Sequence, residues 1–172
     1  MISLTRVRSR WCHGAPGVLI LLSTVVRRFA DESDADTDTL VLPEDLLDAI
    51  HKAMTRGGGL VYSRGFLRKG VGICHGVAGS VFALLSISEV LDSFDADDNE
   101  GKLWRNRAVH LAHLAVSYHD LEVNGEMSVP DRPYSLYEGV AGMCCAWADV
   151  LKVLNGETGL GIPGYDDLRE LI

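Results

Sequence analysis

Cysteine is scarce in this chain: Cys12, Cys74, Cys144 and Cys145 are the four among 172 residues, too few and too widely spaced for a disulfide scaffold. That pattern suits a reduced, intracellular protein whose cysteines pack or bind metal. Basic residues are the minority charge, 16 Lys and Arg against 24 Asp and Glu. A net charge of −8 argues against nucleic acid as a partner, because phosphate binding needs a basic surface. Long apolar runs are missing too, since the stretch 18–26 is too short to span a bilayer. It follows Arg6, Arg8 and Arg10 with the polarity of a signal peptide. Trp11, Cys12, His13, Gly14 and Pro16 interrupt the transition, however, and Arg27 and Arg28 stand where a small-residue cleavage site belongs. Neither a transmembrane segment nor a cleaved leader is expected, and the expected location is the cytoplasm, with peripheral membrane association left open. No stretch sustains period-two alternation, which argues against a sheet.

What is present is a globular composition, 47% apolar and 23% charged, which excludes disorder. The length suits one domain with a real core. The acidity is local. Five of eight residues in 31–38 and five of nine in 92–100 are acidic, leaving 14 acids against 16 bases elsewhere. These stretches read as solvated loops, and the net charge belongs to them more than to any binding surface.

Three short segments resemble one another: Cys12-His13-Gly14-Ala15-Pro16-Gly17, Cys74-His75-Gly76-Val77-Ala78-Gly79 and Tyr137-Glu138-Gly139-Val140-Ala141-Gly142. They begin 62 and then 63 residues apart. An apolar stretch follows each, at 18–29, 81–91 and 143–154, and amphipathic stretches at 43–55 and 103–118 follow the acidic loops. Leu46, Leu47, Ile50, Ala53 and Met54 form a helical stripe, as do Leu111, Leu114, Ala115 and Tyr118, with Pro43 suited to a first turn. A period of this size signals stacked supersecondary units. Each unit reads as glycine turn, apolar inner helix, acidic loop and amphipathic outer helix. Inner helices apolar nearly all round need burial on several sides, whereas striped outer helices need cover on one. Two concentric layers of helices, as a solenoid or a closed ring, satisfy both. The paired glycines permit positive φ and close backbone approach. They serve either to let inner helices pack tightly or to present the first two residues of each turn toward a shared centre.

Two turns offer Cys-His. Cys12, Cys74 and His75 would supply two thiolates and an imidazole, a donor set that suits Zn²⁺ and leaves a fourth tetrahedral position open. Neighbouring ligands at 74 and 75 need an irregular turn, and a helix N-terminus would favour the thiolate. His13 is a fourth ligand or a supporting group. The alternative is a pair of buried core cysteines with capping histidines. The third turn, Tyr137-Glu138, has no thiol to give.

These residues, with Gly70-Val71-Gly72-Ile73 before the second motif and Ser135-Leu136 before the third, resemble the LanC-like family (lanthionine synthetase C-like proteins), nearer its eukaryotic branch. The resemblance covers nearly the whole chain. It implies an all-α fold, a partial α/α toroid with about three helix-pair repeats of a seven-repeat ring, starting near residues 12, 74 and 137. It implies a central zinc held by Cys12, Cys74 and His75. It further implies activation of a thiol, glutathione or a peptide cysteine, for addition to dehydroalanine or dehydrobutyrine in a peptide substrate. Lys69 occupies the position of a lysine associated with glutathione binding. Ser128 stands where the family carries an arginine, with Arg132 nearby, so the chain departs from the pattern there. The family's acid and base, a His and an Asp, belong to repeats preceding Trp11, so no catalytic residue is assigned. His51, His110, His113 and His119 read as surface or packing residues on outer helices.

Three functions compete on these grounds: the zinc-bearing C-terminal part of a thiol-addition enzyme, a non-catalytic glutathione- or zinc-binding scaffold, and an inactive truncated product. Three adjacent units of a ring would also leave two apolar edges, so the isolated chain is expected to be marginally stable or aggregation-prone.

Overall fold

A computed structural model of the chain describes residues 10–31, 42–92, 99–159 and 161–166. Most of both acidic stretches, and Arg6 and Arg8, lie outside these residues. Six α-helices are described: α1 (Ala15–Asp31), α2 (Glu44–Arg64), α3 (Val77–Asp92), α4 (Glu100–Leu114), the short α5 (Tyr118–Val123) and α6 (Val140–Leu154). There is no strand among the described residues. No helix among them is long and apolar enough to cross a membrane.

The repeat is visible in the helix starts. α1, α3 and α6 begin 62 and 63 residues apart, the spacing of the three motifs. These are the inner helices. α3 is the centre: it packs against α1, α2, α4 and α6, and every residue in it except Glu89 and Asp92 is buried. Its sequence explains this, because Val77, Val81, Phe82, Leu84, Leu85, Ile87, Val90 and Leu91 leave no polar stripe to face water. α1 and α6 flank it and each keeps an open side, with Val18 and Leu21 exposed on α1 and Leu151 and Leu154 exposed on α6. α2 and α4 form the outer layer. The result is a partial α/α toroid, as expected from the sequence.

The outer helices correct two sequence expectations. α2 runs to Arg64 rather than stopping near residue 55, straight through Gly57-Gly58-Gly59. Glycine is a poor helix former, but at Gly58 the missing side chain is what the packing needs. A Cβ there would stand 2.7 Å from Ile87 Cδ1 and 2.8 Å from the Trp104 ring. The glycine lets α2 lie close to α3 and α4. The stretch 103–118 is likewise not one helix, because α4 ends at Leu114 and a 3-10 turn, Ala115–Ser117, leads into α5. The expected stripes are also redrawn. Ile50 and Met54 continue through Gly58 and Val61 as the buried face of α2, while Leu46 and Ala53 are exposed. On α4 the buried face is Trp104, Ala108, Leu111 and Ala112, followed by Ala115, and Leu114 is exposed.

Polar ties join the layers. The Trp147 indole N–H donates to Ala112 O at 2.8 Å, joining α6 to α4, and the Ser80 hydroxyl donates to Gly65 O at 3.1 Å. Arg27 on α1 pairs with Glu89 of α3 at 3.1 Å and with buried Asp166 at 3.6 Å, so the chain's last described segment is tied back to the first inner helix.

Candidate functional site

The three glycine turns sit at the N-terminal ends of the inner helices and are joined through the main chain. Trp11 N–H donates to Cys74 O at 3.1 Å, and Cys74 N–H donates to Tyr137 O at 2.8 Å. The first turn thus hangs on the second and the second on the third. The rings of Trp11 and Tyr137 also meet, with centroids 6.0 Å apart. The three turns are therefore neighbours, linked in series through their backbones.

The glycines work by close approach and not by positive φ. A Cβ on Gly17, Gly79 or Gly142 would run into the carbonyl oxygen of the residue six earlier in each case: Trp11, Ile73 and Leu136. The same carbonyl presses on the same helix start in all three repeats. Gly14 and Gly139 have φ of −157° and −115°, so the expectation of left-handed backbone at the motif glycines does not hold. The constraint is steric, and any side chain would push the turn off its helix. Gly72 plays the corresponding part between turns, where a Cβ would stand 2.5 Å from both Tyr137 O and Glu138 O.

Within this frame Cys12 and Cys74 come together. Cys12 is exposed in the 3-10 turn Trp11–His13, Cys74 is half-buried in the irregular turn before α3, and both are free thiols. Burial, then a hydrogen bond and charge repulsion from Cys12, then the Glu138 carboxylate, push the Cys74 thiol up from about 9 to about 11, and Arg10 offsets part of this. This corrects the expectation that the coming helix N-terminus would favour the thiolate. Burial and two acidic neighbours outweigh whatever the helix end contributes.

Two thiols in contact beside a carboxylate are the donor chemistry of a soft cation site, since a cation relieves the repulsion that otherwise holds the protons on. His75 follows Cys74 in the same turn and is half-buried, but it is not drawn onto the thiols. Among the described residues no three His, Cys, Asp or Glu side chains gather closely enough to hold a metal ion. The structure thus assembles two of the three expected ligands and leaves the imidazole apart. His13 is exposed beside Cys12.

Lys69 is exposed on the loop between α2 and the second turn. That loop is held from the other side: the Arg68 guanidinium donates to Glu126 O at 2.7 Å and Gly125 O at 3.3 Å, and Ser128 N–H donates to Arg68 O at 2.7 Å. Position 128, where the expected arginine is missing, therefore adjoins Lys69 through the backbone. The remaining histidines are placed as packing and surface residues. His51 on α2 bonds Glu100 at 3.0 Å, His110 on α4 bonds the Tyr62 hydroxyl at 2.9 Å, and His113 and His119 are exposed. Sequence reasoning gave no role to Arg10, Trp11, Tyr137 or Glu138. The signal was available, because the third motif carries Tyr-Glu in register with Cys-His. A larger cavity of about 320 Å³ lies against the C-terminal halves of α3 and α6, lined by Phe82, Asp149 and Thr158 among others, with no thiol or imidazole. The thiol pair is the better candidate on chemistry.

The profile of the family described as Lanthionine synthetase C-like protein matches residues 3–158. A Danio rerio protein named Glutathione S-transferase LANCL1 is 29% identical over 142 residues, which cover 83% of this chain and 28% of that protein. An Arabidopsis thaliana protein named LanC-like protein GCL1 is 26% identical over 157 residues, 91% of this chain and 30% of its own length. The chain spans less than a third of the length of these curated relatives. With repeated glycine turns, paired helices and a profile match over nearly its whole length, the chain belongs to the lanthionine synthetase C-like family.

Proposed function

We propose that this chain carries the zinc-binding, thiol-activating part of a LanC-like site, with Cys12, Cys74 and His75 as ligands and glutathione or a peptide cysteine as the thiol. The observation that carries the reading is the meeting of Cys12 and Cys74 where three backbone-linked turns converge. Bound zinc would keep a coordinated substrate thiol as its thiolate at neutral pH. The chain's own residues do the rest. Glu138 and Arg10 set the charge around the thiol pair, and Lys69 offers an exposed cation for a carboxylate of the incoming thiol compound. The name of the Danio rerio relative supports glutathione as that compound. The acceptor is a peptide bearing dehydroalanine or dehydrobutyrine, and the product is a thioether.

Metal analysis tests the ligand set. Zinc-loaded chain exchanged into metal-free buffer is expected to keep about one zinc, and Cys74→Ala to lose it. Clearly less than one, unchanged by Cys74→Ala, refutes the assignment. Mass spectrometry of glutathione with a dehydroalanine peptide then separates addition from mere binding. A second reading, a thiol- and metal-binding module without addition activity, is favoured by the histidines, since His51 and His110 are engaged on outer helices. Failure to form the adduct with zinc retained selects that second reading.

A further inference from the structure

A cavity of about 190 Å³ opens between α5 and the loop that leads into the third turn. Val71, Val129 and Val140 give it an apolar lining, Tyr118 and Tyr134 an aromatic one, and Glu122 and His119 complete it. Tyr134 is 83% exposed, so its ring face is available. The Glu122 carboxylate makes no ion pair among the described residues. Val71 belongs to the turn that carries Cys74, and Val140 follows directly on the third motif's glycine. Since Cys74 N–H bonds Tyr137 O, the cavity and the thiol pair share two of the three turns.

Its chemistry is specific. An apolar floor, aromatic walls and one carboxylate suit a side chain with an apolar stem and a cationic head. The stem covers the valines, while the head meets the carboxylate and the ring faces. An anionic side chain would face Glu122, and a purely apolar one would cover that carboxylate without giving it a partner. The volume holds about six water-sized atoms, close to the non-hydrogen content of one lysine or arginine side chain.

We propose that this pocket receives a lysine or arginine side chain of the peptide acceptor and so sets a preference for a basic residue near the reacting position. The proposal rests on the thiol-addition reading for the nature of its partner, but binding at the pocket is measurable without that reaction. The test is an NMR titration of the isotope-labelled full chain at about pH 8. The probes are acetyl-Gly-Lys-Ser-Gly-amide, its norleucine counterpart and its glutamate counterpart. All three carry serine in place of the dehydroamino acid and cannot react.

The lysine peptide is expected to shift the Val71 and Val140 amides and to bind about tenfold more tightly than the norleucine peptide. Glutamate is expected to bind most weakly. Glu122→Gln is expected to remove the lysine preference while leaving norleucine binding unchanged, and Tyr134→Ala to weaken the lysine peptide. Equal binding of lysine and norleucine peptides, survival of the preference in Glu122→Gln, or no shifts at the pocket amides overturns the proposal. A lysine preference that stands in a chain failing to bind zinc or to form a thioether overturns the thiol-addition reading alone.

Discussion

The three consecutive glycines of α2 make a demanding test, because the structure assigns each a different environment within one helical turn. A Cβ at Gly58 would stand 2.7 Å from Ile87 Cδ1 and 2.8–2.9 Å from the Trp104 ring, both buried and confined. At Gly59 nothing lies within 4 Å. At Gly57 the Cβ would meet a single side chain, with Leu19 Cδ2 2.7 Å away and Cγ at 3.4 Å. Replacing glycine by alanine within a helix is favourable by about 1 kcal/mol at every position on propensity alone. Overpacking a confined core position costs about 1–3 kcal/mol. The propensity gain is common to Gly58→Ala and Gly59→Ala, so it cancels between them. Gly59→Ala is therefore expected to be more stable than Gly58→Ala by about 1–3 kcal/mol, with Gly57→Ala between. Urea unfolding followed by circular dichroism reads the difference as a midpoint separation of about 0.5–1.5 M at an m-value near 2 kcal/mol/M. If Gly58→Ala and Gly59→Ala stabilise equally, α2 does not lie on Ile87 and Trp104, and the account of the two-layer packing fails with it.

Gly72→Ala is expected to force the second and third turns apart against the backbone of Tyr137 and Glu138, costing about 1–3 kcal/mol in stability. It should also weaken zinc binding in competition with a chromophoric chelator, and unchanged zinc affinity would show that the turns need not touch to form the site. In the zinc-free chain Cys74, pushed up to about 11, is expected to alkylate more slowly than exposed Cys144 at neutral pH and to gain reactivity as pH rises toward 11. The sign for stability follows from a folded-state pKa above the unfolded one. The contribution is complete below about 9 and lost as pH rises through about 11, so a zinc-free chain whose stability holds flat across that range contradicts the shift.

Much of the architecture was legible because it repeats. The spacing of Cys12, Cys74 and Tyr137 foretold the starts of α1, α3 and α6, and the unbroken apolar character of α3 foretold its central place. The end of α2 was not legible, since the apolar stripe stops at Met54 while the helix runs on through Gly57-Gly58-Gly59 to Arg64. Only the approach of Ile87 and Trp104, from two other helices, makes glycine the favoured residue there. Leu46, Ala53 and Leu114 fit the stripe pattern but face solvent, since periodicity marks a face without saying how wide the covering surface is. At the site, Cys12 and Cys74 were legible from the shared motif. The raised pKa of Cys74 was not, since it depends first on burial and then on Cys12 and Glu138 arriving from the other two repeats. The pocket beside Glu122 was equally hidden, because it forms only where α5 and the loop before the third turn come against Val71 and Val140.

The links that hold the thiol turns together, Trp11 N–H to Cys74 O and Cys74 N–H to Tyr137 O, are made by groups that every residue except proline carries. Scaffold and cargo are thus separately variable. A turn can exchange its displayed side chains and still dock on its neighbour, as the third already does with Tyr137-Glu138 in place of Cys-His. Such a frame behaves like a socket with interchangeable pins: chemistry can be gained or lost at one turn by point substitution, without redesigning the helices behind it.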